Sequence, residues 1–392
     1  MIDFVRTLAS RTSALMPHRA QKNGDEDTER VRYAVVGLGH ISQSAVLPAF
    51  AHARRNCELT ALVSDSRHKL RQLGEEYGVD LQFTYDEYDE LCASGAIDAV
   101  YIALPNSMHR EYTERAARHG VHVLCEKPMA VTTADCRAMI NAARANQIKL
   151  MVAYRLHFEP ANLEAAEIAK SSRLGNVRIF NSLFTMQVKA GDIRLKRTLG
   201  GGSLYDIGIY CINAARMMFR AEPIEVFAAS ANTGEERFHE VDEMTAVILR
   251  YPGDRLATFT TSFGAADTSR YEIIGTKGTL IVDPAYEIGE TLVHHQTIDD
   301  RTRKHRFTRR DQFAPELEYF ADCILQDREP EPSALEGLAD VQIIQGLLQS
   351  ARSRRPMRLT VHSDAPPSRT QSMYKRPVRR RQLVATSVPH KD

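Results

Sequence analysis

Apolar residues along this chain follow one spacing up to about residue 155 and another beyond it. Val31–Gly37 (VRYAVVG) is almost continuously apolar and closes on glycine, the pattern of a strand buried on both faces. A helical spacing follows to about Arg54. Leu59–Ser64 is the next apolar run, and Arg67–Tyr77 reads as a helix that Gly78 ends. Ala99–Leu104, Val121–Cys125 and Lys149–Tyr154 repeat the strand pattern. Arg110–His119, closed by Gly120, and Thr132–Asn146 repeat the helical one. Such alternation predicts an α/β unit over residues 31–155, with a doubly wound parallel sheet.

Past Leu156 the pattern changes. A helix over Pro160–Ser171 leads to strands of alternating or aromatic character: Val177–Phe184, Ile224–Ala231, Met244–Tyr251, Arg255–Phe263, Arg270–Gly275 and Gly278–Val282. Short turns such as Tyr251-Pro252-Gly253-Asp254 join several of them. Residues 156–362 are therefore expected to form an α+β unit with a large, mostly antiparallel sheet. Helices, among them Phe313–Gln326 and Ala334–Arg352, suffice to cover one face only. The open face predicts a homodimer or homotetramer. Residues 1–30 read as an arm, and residues 363–392, rich in Pro, Ser, Arg and Lys, as a disordered tail.

Composition narrows the function classes. Of 392 residues 43% are hydrophobic, enough for a sizeable core, and the net charge of +1 gives no reason to expect a nucleic-acid or membrane partner. No apolar run approaches the roughly 18 residues of a membrane helix. The N-terminus lacks the apolar core of an export signal, so a cytoplasmic location is expected. Six scattered cysteines form no CxxC pair; they read as reduced, buried thiols, with no metal site expected.

Four strings carry candidate chemistry. Gly37-Leu38-Gly39-His40-Ile41-Ser42 closes the first strand and opens the first helix. Its first glycine permits the tight turn, and its second lets a pyrophosphate approach the helix N-terminus. Ser42 replaces the usual third glycine. An ordinary Gly-rich turn is the alternative, which the strand–turn–helix context disfavours. Ser64-Asp65-Ser66-Arg67-His68-Lys69 follows the second strand, where an adenosine ribose would lie. Asp65 favours NAD, whereas Ser64, Arg67 and Lys69 favour the 2′-phosphate of NADP. Cys125-Glu126-Lys127-Pro128 ends the fourth of these strands at the sheet's carboxyl edge, with Pro128 stiffening the turn after Lys127. Leu199–Tyr210 holds Gly200, Gly201 and Gly202, read as a backbone that approaches a ligand. Its Asp206 and Tyr210 are spaced to share one helix face. They form either a proton-transfer site beside a lysine or a packed Tyr–Asp pair.

Together with Leu104–His109 (LPNSMH), Ala134-Asp135-Cys136 and Tyr154-Arg155, these strings resemble the Gfo/Idh/MocA oxidoreductases, from about Val31 to Thr360. Tyr210, where most members carry His, is similar to the glucose–fructose oxidoreductase branch. The resemblance implies a Rossmann domain followed by an open-faced sheet used for subunit contacts. It implies a nicotinamide between Lys127 and the helix of Asp206 and Tyr210. It also implies cofactor contacts from Ser64, Lys69, Tyr85, Leu104, Pro105, Asn106, His109, Glu126, Arg155 and Arg194, beside the Gly37–Ile41 turn. Asp65 and Ile193 depart from that branch, the first at the ribose, the second where a Trp stands beside the Arg.

The activity so implied is hydride transfer between NADP, or alternatively NAD, and C1 of an aldose, giving a lactone. Tyr210 takes the hydroxyl proton, Lys127 stabilises negative charge on oxygen, and Asp206 orients substrate or Tyr210. A phenol is a poor base at neutral pH unless positive charge lies beside it, which Lys127 would provide. One rival is an NAD-dependent polyol or dihydrodiol dehydrogenase, which Asp65 favours. A rival of another class is a non-catalytic nucleotide sensor or scaffold, which has little use for Lys127, Asp206 and Tyr210 together.

Overall fold

Strand β1, Val31–Val36, has no exposed face: Tyr33, Ala34, Val35 and Val36 are fully buried, which is why its apolar run shows no alternation. Beside it lie β2 (Cys57–Val63) and β4 (Ala99–Ile102), flanked in turn by β3 (Leu81–Phe83), β5 (His122–Glu126) and β6 (Leu150–Ala153). The order is β3-β2-β1-β4-β5-β6, parallel throughout. The order reverses between β1 and β4, so the loops leaving their carboxyl ends diverge and open a crevice there. The computed structural model describes residues 29–361 and Val384.

The first helix is shorter than its spacing predicts. A π-helical turn, Ser42–Val46, runs into α1, Leu47–Phe50. Helix α2, Arg67–Tyr77, matches its expected span: Ser66 caps its start by accepting from the Lys69 N–H, and Gly78 ends it in the left-handed conformation. Helices α3 (Tyr88–Ala93), α4 (His109–Arg118) and α5 (Thr133–Ala145) complete the crossovers. β3 and α3 went unread because three and six residues are too few to show a period.

The second sheet has nine strands, in the order β14-β13-β12-β11-β7-β10-β9-β8-β15. They are β7 (Val177–Thr185), β8 (Glu225–Ala231), β9 (Met244–Tyr251), β10 (Arg255–Ser262), β11 (Thr268–Gly275), β12 (Gly278–Val282), β13 (Val293–Ile298), β14 (Arg301–Arg306) and β15 (Met357–Arg358). All pairs are antiparallel except β7 with β10. The β13–β14 hairpin was not legible. Every residue of β14 is exposed, so it has no apolar face, and its turn uses Asp299 and Asp300 at positive φ instead of the usual Asn-Gly. Its basic side chains blunt the sheet edge.

Helices α6 (Pro160–Lys170), α7 (Ile209–Phe219) and α9 (Ala334–Ser353) pack on the inner face of this sheet; α8 (Phe313–Leu325) packs instead on β1, β2 and α1. The outer face carries Ile179, Ile248 and Leu256 on adjacent strands, 38%, 44% and 41% exposed. All six cysteines are free and buried, and no helix among the described residues is long and apolar enough to cross a membrane. The expected arm (1–30) and tail (363–392) fall outside the described residues, apart from residues 29, 30 and Val384. The Val384 N–H donates to Gln43 Oε1 at 2.5 Å.

Between α7, α9 and the segment after β6 lies a buried polar knot of Arg216, Asp340, Glu336, Asn213, Tyr154 and His157. Burial pushes the Glu336 carboxyl up to about 7, Arg216 opposing and Asp340 adding to the rise. A carboxyl raised in the folded state favours folding while protonated. Its contribution is complete below the unfolded value of 4.5 and disappears as pH climbs through about 7. Glu336→Gln, neutral at every pH, removes that loss. Urea unfolding at pH 5 and pH 8 should show the variant gaining about 2–3 kcal/mol on the wild type across the interval; an unchanged difference would refute this.

Candidate active site

The Gly37–Ile41 turn lies at the carboxyl end of β1. Gly37 has φ +94°, and a Cβ there would sit 2.4 Å from the Ala103 carbonyl oxygen, so no other residue fits. Ser42 takes the third glycine's place because its Oγ donates to Gly37 O at 2.5 Å, while Gln43 Nε2 donates to Leu38 O at 2.9 Å. The side chains thus cap the turn's carbonyls from behind. In front, a Cβ on Gly39 would meet nothing within 4 Å. That open space above a helix N-terminus fits a dinucleotide pyrophosphate.

At the end of β2, buried Ser64 accepts from the Ser66 N–H, and its Oγ lies 3.4 Å from Asp65 Oδ1, while Asp65 is exposed and Lys69 half-buried. After β4, Leu104 and Pro105 lead into a tight turn in which Asn106 Nδ2 donates to Gly200 O at 2.8 Å. His109 is fully buried, its ring nitrogens 2.9 Å from Leu104 O and 3.0 Å from Pro128 O. Burial lowers its pKa, and a neutral imidazole donates only one of these contacts. It ties the loop after β4 to the turn after β5, from behind both.

Glu126 ends β5. It accepts from Tyr101 Oη at 2.8 Å and from the Lys127 N–H at 3.2 Å, and burial raises its pKa. Lys127 turns toward the second sheet and donates to Asp206 O at 2.8 Å and to Asp206 Oδ1 at 3.1 Å. Arg194 Nε donates to the other oxygen, Oδ2, at 2.6 Å, and Asp192 pairs with Arg194 in turn. Burial raises the Asp206 pKa, but Arg194 and Lys127 outweigh it and hold the carboxyl well below the usual range. Burial works against the Lys127 charge, and Tyr210, Asp206 and Glu126 outweigh that, holding its pKa up. Lys127 therefore stays an ammonium and Asp206 a carboxylate. Neither is a proton carrier at neutral pH.

Tyr210 lies on the other side of Lys127, whose Nζ is 4.8 Å from the phenol ring centroid. The hydroxyl accepts from Arg155 Nε at 3.2 Å. Arg155, expected beside the cofactor, is buried and fixed by Gln312 Oε1 at 2.6 Å and by Tyr286 O. Two cations thus stand at the one phenol. Asp206 and Tyr210 meet through Lys127, because a π-helical turn, Leu204–Gly208, widens the helix between them and the ordinary spacing does not apply. The glycine run is also used differently from its expected role. A Cβ on Gly200 would strike Val131 and Asn106, and one on Gly201 would strike Arg194 O, so these glycines let protein pack against protein. No local pattern marks Gln312 and Tyr286, which support Arg155 from distant segments.

A turn open to a dinucleotide pyrophosphate at the carboxyl end of β1, with the Lys127 ammonium after β5 and the Tyr210 phenol at the start of α7 beside one another, marks a nicotinamide-dependent oxidoreductase. Two family models match in tandem: an oxidoreductase family with an NAD-binding Rossmann fold over residues 31–154, and the GFO/IDH/MocA C-terminal domain over residues 162–281. The chain is 33% identical to a D-xylose 1-dehydrogenase [NADP(+)] of Haloarcula marismortui, over 84% of this chain and 93% of the relative. It superposes on the aldose-aldose oxidoreductase of Caulobacter crescentus, complexed with glycerol, with a TM-score of 0.81 and 35% identity, covering 84% of this chain and all of that one. It is also similar to KijD10, a 3-ketoreductase from Actinomadura kijaniata in complex with NADP, with a TM-score of 0.75, 27% identity and coverage of 82% and 98%. The protein belongs to the Gfo/Idh/MocA oxidoreductase family, and its cofactor is NAD(P).

The two glycines of the turn should fail in different ways. Gly37→Ala should cost the apo protein at least about 2 kcal/mol, through positive φ and the clash with Ala103. Gly39→Ala fills open space, so its melting temperature should stay at the wild-type value while NAD(P)H affinity drops about tenfold or more. Thermal melts and fluorescence titration test this, and wild-type affinity in Gly39→Ala would refute it.

Proposed function

We propose that the protein oxidises an aldose at C1 to its lactone, with the reverse reduction of a sugar carbonyl open to the same groups. The observation that carries this reading is the convergence of Lys127 and Arg155 on Tyr210 at the carboxyl edge of the first sheet. Bound NAD(P) supplies the hydride acceptor. Tyr210 takes the proton of the C1 hydroxyl as the hydride leaves that carbon. As the proton moves, negative charge passes from the phenolate oxygen of Tyr210 to the sugar oxygen and leaves with the hydride; Lys127 and Arg155 stabilise it during the transfer. Asp206 keeps Lys127 and Arg194 in place and exchanges no proton. The sugar assignment draws on the relatives named for aldose and xylose oxidation. The candidate cofactor contacts are Gly37 to Ile41, Ser64, Lys69, Tyr85, Leu104 to Asn106, Glu126, Lys127 and Arg194, with His109 and Arg155 acting from behind.

NADP is proposed over NAD. Ser64 and Lys69 stand where a 2′-phosphate would lie, Arg67 adds charge, and a relative is named for NADP(+). Asp65 opposes the preference, and equal or tighter NADH binding by fluorescence titration would reverse it. The outer face of the second sheet is proposed as the contact of a homodimer or homotetramer, on the strength of Ile179, Ile248 and Leu256. Light scattering at micromolar concentration should give a multiple of the chain mass.

Single-turnover reduction of bound cofactor by aldoses is the central test. Tyr210→Phe keeps the ring and should slow that step by about 10²–10⁴-fold, with cofactor affinity within a few-fold of wild type. Lys127→Met should cost a similar or larger factor. A wild-type rate in Tyr210→Phe would remove the tyrosine from the chemistry. Reaction with polyols or dihydrodiols in place of aldoses would shift the substrate class, and no reaction with any alcohol would favour a sensor or scaffold.

A further inference from the structure

We infer that Asp340, on a helix that contributes no side chain to the site, is the positioning residue that holds Tyr210 and Arg155 against each other. The inference rests on the assignment of proton transfer to Tyr210.

Arg155 begins a tight turn, Arg155–Phe158, just after β6, and Tyr210 lies at the start of α7. Their contact, Nε to Oη at 3.2 Å, joins two segments that share no ladder. Gln312 and the Tyr286 carbonyl fix the guanidinium, so what remains to be set from behind is the spacing of the two backbone segments. Tyr154, the residue before Arg155, donates its hydroxyl to Asp340 Oδ2. Asn213, three residues past Tyr210 on α7, donates Nδ2 to the same oxygen at 3.1 Å. Arg216, three residues further, donates Nη1 to Asp340 Oδ1 at 2.7 Å. One carboxylate on α9 thus binds the segment of Arg155 and the helix of Tyr210 together.

His157 closes the ring. Its Nε2 lies 2.8 Å from Asn213 Oδ1, so Asn213 is held from both of its amide ends. The clamp is dry: Asp340, Arg216 and His157 are fully buried, and Tyr154 is 2% exposed. The Asp340 charge is matched by Arg216, whose far side holds Glu222 through two bonds of 2.7 Å. In a site closed from water such a set resists sliding, because every member that moves leaves a buried partner unsatisfied. A plain staple between α7 and α9 would need only Arg216 and Asp340. The bonds from Tyr154 and Asn213 to one oxygen bring in the segments that carry the reacting pair.

Misplacing a reacting group by about 1 Å costs on the order of 10²-fold. Tyr154→Phe removes one bond and keeps the ring; it should lower turnover about tenfold. Asp340→Asn removes the charge and one acceptor geometry; it should lower turnover about 10–100-fold. In both, KM for the sugar and NAD(P)H affinity should stay within about threefold of wild type. The deciding measurement is a double-mutant cycle with Tyr210→Phe, read as the single-turnover rate at 20 °C. Once the phenol oxygen is gone its position no longer matters, so Tyr154→Phe or Asp340→Asn added to Tyr210→Phe should cost less than about twofold. The full single-mutant loss, repeated in the Tyr210→Phe background, overturns the inference, as does wild-type turnover in Tyr154→Phe. Should Asp340→Asn not fold, Tyr154→Phe carries the cycle alone. A wild-type rate in Tyr210→Phe itself fails the underlying assignment instead, and the two failures are told apart by that single variant.

Discussion

Lys127 is a cation withdrawn from water, its side chain 12% exposed, and its charge is compensated by Asp206 in the π-helical turn that precedes α7. Desolvating an ammonium costs several kcal/mol unless a partner of opposite charge and good geometry meets it. Asp206 is that partner, through both its carbonyl and its carboxylate. Arg194 takes the second carboxylate oxygen, and Asp192 balances Arg194. Two positive and two negative groups therefore close on themselves. The consequence is mechanistic as well as structural: with both its oxygens occupied by cations, Asp206 is free for neither base catalysis nor proton transfer, and Lys127 keeps its charge.

The backbone around this pair is shaped to let the sheets come together. Gly200 and Gly201 give up their side chains to Val131, Asn106 and the Arg194 carbonyl. Asn106 grips Gly200 O, and Tyr205 donates to Val131 O at 2.8 Å. The π-helical turn from Leu204 to Gly208 then carries Asp206 toward Lys127 while leaving Tyr210 on the far side of the ammonium. A regular helix would offer one row of side chains here. The widened turn lets one segment address Lys127 with a carboxylate and a phenol from two directions.

Behind the phenol the structure repeats the same logic with Arg155. It is buried, held by Gln312 and the Tyr286 carbonyl, and it donates to the Tyr210 hydroxyl. In the proposed reaction, positive charge fixed beforehand beside the phenol oxygen requires no rearrangement as negative charge moves between that oxygen and the sugar oxygen, which is where electrostatic catalysis gains most over water. The polar knot of Asp340 and Arg216 lies one layer deeper, where both side chains are fully buried.

Much of this molecule could be read along the chain. The continuous apolar runs gave the parallel strands other than β3, period-two alternation gave Met244–Tyr251 to the residue, and Gly78 gave the end of α2. Glu126-Lys127-Pro128 and Tyr210 were legible as candidate chemistry because their neighbours mark a strand end and a helix start. β14 was not, since an edge strand of exposed polar residues has no buried face to impose a period. Local sequence also could not say what Lys127, Tyr210 and Tyr154 would touch. Their partners Asp206, Arg155 and Asp340 lie 79, 55 and 186 residues away. Propensity, capping and turn chemistry act over a handful of residues, and so the sequence by itself determined the elements and their ends. Which charge meets which is decided by how two sheets and three helices pack, and only the tertiary structure made Asp206 a counter-ion, Arg155 a partner of the phenol and Gly200 a packing site.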